Sequence, residues 1–149
     1  VAGDVQVMSA GTGIRHAEYN LEPGVTRIFQ IWIFPDRQGE APAWGTRPFP
    51  KDGRSGRFVA LASGIEGDDD ALPIRTNARV LGATLKAGES AEYAFAGPGR
   101  YGYLVADRGR VEVDGVALEP RDGAAISGQD RLRVTAIEDA ELVLVDTAG

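Results

Sequence analysis

There is no cysteine in this chain, and a single histidine among 149 residues. The first absence excludes disulfides and thiolate-bound metals. The second limits any metal site, because a catalytic metal usually takes three or four protein ligands. No apolar run approaches the ~20 residues that span a bilayer, so no membrane partner is expected. Basic residues are outnumbered, 16 Lys and Arg against 22 Asp and Glu, for a formal net charge of −6. That balance argues against a nucleic-acid partner, since phosphate binding wants a basic face. The lack of cysteine fits a reducing compartment, and a cytoplasmic location is expected. The amino end, Val1-Ala2-Gly3-Asp4, has neither a start methionine nor a signal-like apolar stretch, and no targeting is read from it.

Helical periodicity is missing too. What the chain has instead is short alternating segments separated by Gly, Pro and Asp. Val5 and Val7 alternate with polar residues after an Ala-Gly-Asp turn. Residues 28–34, Ile28-Phe29-Gln30-Ile31-Trp32-Ile33-Phe34, are expected to form the strongest strand, well buried. From Pro35 to Gly56 the density of Pro and Gly excludes a regular helix. This stretch reads as an ordered crossover, with Trp44 and Phe49 pinning it to a surface. Strands are expected at 58–62, 79–86, 89–95, 101–106, 111–118, 124–126, 132–137 and 142–145. Asp114-Gly115, flanked by alternation, is a strong hairpin signal. The run Asp68-Asp69-Asp70 lacks the spaced ligands of an EF-hand and reads as a solvated loop. Many short strands with such turns indicate a sandwich or barrel.

The single histidine stands two residues before a glutamate, in Gly11-Thr12-Gly13-Ile14-Arg15-His16-Ala17-Glu18-Tyr19-Asn20. Residues i and i+2 of a strand share a face. In an extended segment, His16 and Glu18 would project together, about 7 Å apart at Cα. An imidazole and a carboxylate suit a divalent metal, but two donors make half a site. Thr12, Tyr19 and Asn20 are candidates either for orienting those side chains or for ordinary strand and turn bonding.

Two stretches, Gly3 to Asn20 and Gln30-Ile31-Trp32-Ile33 with Pro35 beyond, closely resemble the pirin family, and within it the bacterial pirin-like quercetin 2,3-dioxygenases. The resemblance implies an all-β bicupin, two jelly-roll β-barrels in tandem. Residues 1–52 would be the last strands of the amino-terminal cupin plus the interdomain connection, and residues 58–149 the whole carboxy-terminal cupin. It also implies one metal ion, iron most of all, held by three histidines and a glutamate. His16 and Glu18 match two of those ligands. The other two, from a His-x-His motif, have no counterpart here, so the chain resembles the carboxy-terminal portion of a longer protein. In the second cupin, Arg100, Tyr101 and Tyr103 stand where a first metal motif would lie, and core packing is the expected role of the tyrosines.

The implied activity is ring-opening oxygenation of a flavonol-like small molecule, with Glu18 as catalytic base as well as ligand. This chain alone is expected to be inactive. An upstream part of the same protein, or another chain, is expected to cover residues 1–34. Two readings of another class stand beside this one: a regulatory partner with a redox-sensing metal, and a metal-free β-domain used for interaction.

Overall fold

The computed structural model describes residues 3–149. Apolar alternation decides the strands of its carboxy-terminal part. Strand β12, Ala140–Thr147, buries every second residue: Ala140, Leu142, Leu144 and Asp146. Its neighbours place matching residues beside them. Leu144 lies opposite Leu81 of β5 (Ala78–Leu85) and Leu104 of β7 (Tyr101–Arg108). Strand β10 (Gly123–Ser127) flanks β7, while β3 (Val59–Ser63) and β4 (Leu72–Pro73) extend the other side, giving the six-stranded order β10-β7-β12-β5-β3-β4.

A four-stranded sheet faces it, in the order β6-β11-β8-β9. Its strands are Ser90–Ala94, Arg131–Ala136, Val111–Val113 and Val116–Leu118 respectively. Leu85, Leu104, Leu142 and Leu144 of the first sheet pack with Val111, Leu132 and Val134 of the second in one core. Fully burying such a side chain is worth ~1.5–3 kcal/mol. Gly102 is required by that core: a Cβ there would meet the Phe95 ring at 2.8 Å. The β8–β9 hairpin turns at Asp114 (φ 47°) and Gly115 (φ 88°), the pair of positive dihedrals that a two-residue type I′ turn demands.

The amino-terminal part is built differently. Strand β1, Asp4–Ser9, pairs antiparallel with β2, Ala43–Pro48, as a two-stranded ribbon. The ribbon lies along β4: Gly45 sits beside the Leu72 side chain, and the Arg47 guanidinium donates to the Asp70 carbonyl. A 3₁₀ turn at Lys51–Arg54 follows, tied to β12 by Lys51 Nζ–Glu141 Oε1 at 2.5 Å.

Several expectations require correction. Residues 28–34 form no strand, and the run is not buried: Trp32 is 86% exposed and Phe34 93%. A strand exists only where another backbone takes its hydrogen bonds, and no described residue offers one. Trp44 does not pin the crossover; it lies exposed on β2, whereas Phe49 is half-buried with the Arg47 guanidinium 6.0 Å from its ring centroid. Tyr101 and Tyr103 are not core residues. They alternate outward on β7 and Gly102, Leu104 and Ala106 take the interior positions. Asp68 is not merely solvated; it is built into the barrel, as described below.

Candidate functional site

The segment carrying His16 begins at a tight turn. Gly13 N–H donates to the Ala10 carbonyl at 2.8 Å, and Thr12 N–H donates to the Glu40 carbonyl at 2.9 Å. Gly11 holds φ 53° there, pressed against the Glu40 carbonyl, so no side chain fits. Beyond the turn the chain runs without strand pairing to Asn20. His16 and Glu18 are both exposed on it. Asn20 then closes a loop. Its Nδ2 donates to the Gly24 carbonyl at 2.7 Å, and its Oδ1 accepts from Glu22 N–H and the Thr26 hydroxyl at 3.0 and 2.9 Å. Turn bonding is therefore the observed role of Asn20, and Thr12 acts here through its backbone.

His16 and Glu18 have the chemistry of a divalent-metal pair. Among the described residues, however, no three or more His, Asp or Glu side chains converge on one point. Two acids of the following segment have partners of their own: Glu40 pairs with Arg75 at 3.0 Å, and Asp36 accepts from the Thr76 hydroxyl and Asn77 N–H. His16 and Glu18 thus supply two of the three or four donors that a catalytic metal usually takes.

The carboxy-terminal barrel carries polar chemistry of its own, which the sequence did not signal. Asp146 is wholly buried at the end of β12. Its carboxylate accepts from Arg100 Nε at 2.5 Å, Tyr93 Oη at 2.6 Å and Ala96 N–H at 3.2 Å. Arg100 also donates to the Asn77 side chain and carbonyl, at 2.8 and 3.2 Å. Beside them Arg79 forks onto Asp68 at 2.5 and 2.9 Å, and Ser63 Oγ donates to the same carboxylate at 2.6 Å. The Arg79 hydrogen bond holds the Asp68 carboxyl below the usual carboxylate range. Burial and the hydrogen bond to Asp146 push the Tyr93 phenol upward. Each charged group of this network has partners within it, so the network reads as structural.

Open depressions mark the surface formed by the described residues. One of about 460 Å³ is lined by Arg27, Arg108 and Arg121 among others, and one of about 320 Å³ by Glu112, Asp114 and Arg133 among others. Neither includes His16 or Glu18.

A jelly-roll with a packed interior, preceded by a glycine turn that leads to His16 and Glu18, narrows the relationship. The family model for the quercetinase C-terminal cupin domain matches residues 60–147, and that for pirin matches residues 1–33. The chain belongs to the pirin family. A pirin-like protein of Caulobacter vibrioides is 68% identical over 148 residues, spanning 99% of this chain and 63% of the relative. A quercetin 2,3-dioxygenase of Escherichia coli is 33% identical over 148 residues, spanning 97% and 61%. A bacterial pirin from Escherichia coli, solved in complex with nickel(II), superposes with a TM-score of 0.84 at 29% identity. That superposition covers 99% of this chain and 62% of the other. The chain thus spans less than two thirds of the length of these pirins. That superposition takes in nearly the whole chain, the stretch from residue 10 to 42 included.

Proposed function

We propose that the full-length protein is a metal-dependent dioxygenase that opens the flavonol ring of quercetin-type substrates. The observation that carries this reading is the Gly-x-Gly-Ile-x-His-x-Glu segment ending at Glu18, in a chain whose second half is a quercetinase-type cupin. His16 and Glu18 would supply two metal ligands, and residues upstream the others. Bound there, the metal, iron by expectation, would polarise the flavonol oxygens as a Lewis acid. Glu18 contributes an exposed carboxylate oxygen able to take the 3-hydroxyl proton, provided the substrate places that proton within hydrogen-bond reach. The balanced reaction consumes one dioxygen per flavonol and yields carbon monoxide and a depside. Residues 28–34 would form the wall beside this pair, covered by upstream strands of the same protein. Residues 1–52 then belong to the first cupin and its connection, and residues 58–149 to the second.

The test is aerobic quercetin turnover by full-length protein, following flavonol loss and carbon monoxide release alongside metal analysis. Glu18→Gln keeps shape but loses charge and basicity, so turnover should fall by ~10²–10⁴ with folding retained. His16→Ala should weaken metal retention. Full metal content and full turnover in both variants would remove these residues from the site.

A further inference from the structure

The His16 segment and the carboxy-terminal barrel are joined by a latch of fixed geometry. Asp36 lies two residues beyond the Ile28–Phe34 run, and Arg75-Thr76-Asn77 leads into β5. Asp36 N–H donates to the Arg75 carbonyl at 2.9 Å. In return, its two carboxylate oxygens accept from the Thr76 hydroxyl at 3.0 Å and from Asn77 N–H at 3.1 Å. Arg75 reaches back across the same loop, to the Glu40 carboxylate at 3.0 Å and the Ala41 carbonyl at 2.7 Å. A lone exposed ion pair is worth little. This one differs, because backbone groups on both sides are held by charged partners, which strengthens each bond and sets direction.

Both ends of the latch are anchored. On the barrel side, Asn77 is gripped by Arg100, itself locked to the wholly buried Asp146. On the other side, the Glu40 carbonyl receives Thr12 N–H, four residues before His16. A continuous path of hydrogen bonds therefore runs from Asp146 in the core through Arg100, Asn77, Asp36, Arg75 and Glu40 to the turn that launches His16 and Glu18.

We propose that Asp36 is a positioning residue: through Arg75 and Glu40, the carboxy-terminal barrel sets the orientation of the His16–Glu18 segment. This rests on the reading of those two residues as metal ligands. It gives the second barrel, whose interior is filled, a role in a site on the other part of the chain. Groups that support metal ligands from outside typically change affinity by 10–100-fold when removed.

The test uses full-length protein loaded with cobalt(II), whose visible absorption reports ligand geometry. Asp36→Ala should shift that absorption and weaken cobalt(II) affinity roughly tenfold, while the urea midpoint stays near the parent value. Asp36→Asn retains an acceptor for Asn77 N–H and an amide that can donate to Thr76 Oγ1, so it should restore the parent spectrum. If Asp36→Ala is too unstable to purify, Thr76→Val serves instead, with a smaller shift in the same direction. His16→Ala is measured alongside. If it loses cobalt(II) while Asp36→Ala, or its Thr76→Val substitute, keeps the parent spectrum and affinity, the latch is overturned and the metal pair stands. If His16→Ala itself keeps both, the pair is not a ligand set and the latch falls with it.

Discussion

At the scale of single residues, the most consequential groups are buried charges that composition does not flag. Asp146 is 0% exposed and Arg100 7%, so neither tolerates loss of the other. Asp146→Ala should cost ~3–5 kcal/mol, because it strands an uncompensated guanidinium in the interior. Chemical denaturation read by Tyr and Trp fluorescence would show it as a lowered midpoint at constant slope. Asp68 offers a pH signature. Its carboxyl is held below the ordinary value by Arg79, so ionised Asp68 binds fewer protons folded than unfolded. The stabilisation is therefore present in full above the unfolded carboxylate value of ~4. It is lost as pH falls through the depressed folded value. Asp68→Asn should flatten the urea midpoint against pH across that acid window. A midpoint that falls as steeply as in the parent would assign the acid sensitivity to other carboxylates.

Among the elements, the hairpin and the apolar run behave oppositely. The β8–β9 turn takes its dihedrals from local chemistry, and Asp114 adds hydrogen bonds to the Arg133 backbone at 3.1 and 3.2 Å. Gly115 stands at φ 88°, and Gly115→Ala should cost ~1–2 kcal/mol, the price of left-handed backbone for a residue with a Cβ. Thermal melting would register it, with the rest of the core unaltered. Residues 28–34 depend on everything else. Ile28 is 68% exposed and Trp32 86% when only residues 3–149 surround them, an apolar edge of the kind that invites association. In a Trp44→Phe background, Trp32 emission should be readily quenched by acrylamide in this chain. It should be shielded in the full-length protein. Equal quenching in both would show that upstream residues do not cover this run.

For the molecule as a whole, the barrel and the His16–Glu18 segment part company. The two sheets enclose a single core made of their own residues. His16 and Glu18 lie outside it, exposed. Residues 1–149 alone should retain no stoichiometric divalent metal after dialysis, because two donors fall short of the three or four that hold one. Elemental analysis beside the full-length protein checks this, and one tightly held ion per chain would contradict it.

Alternation determined the barrel strands, because a period of two needs only local sequence to mark an inward face. Asp114-Gly115 determined its turn for the same reason, since the dihedrals it prefers are those the hairpin uses. The Gly-x-Gly-Ile-x-His-x-Glu segment also stood in plain sight, as a resemblance between contiguous residues. Tertiary structure alone decided the rest. Tyr101 and Tyr103 point outward because Gly102 and Leu104 hold the inner register, and register belongs to a sheet rather than a strand. Ile28–Phe34 has strand composition without being a strand, since pairing needs a second backbone. Asp36, Arg75, Asn77, Arg100 and Asp146 lie far apart in the chain, and their hydrogen-bonded path exists only once folding brings the two parts into contact.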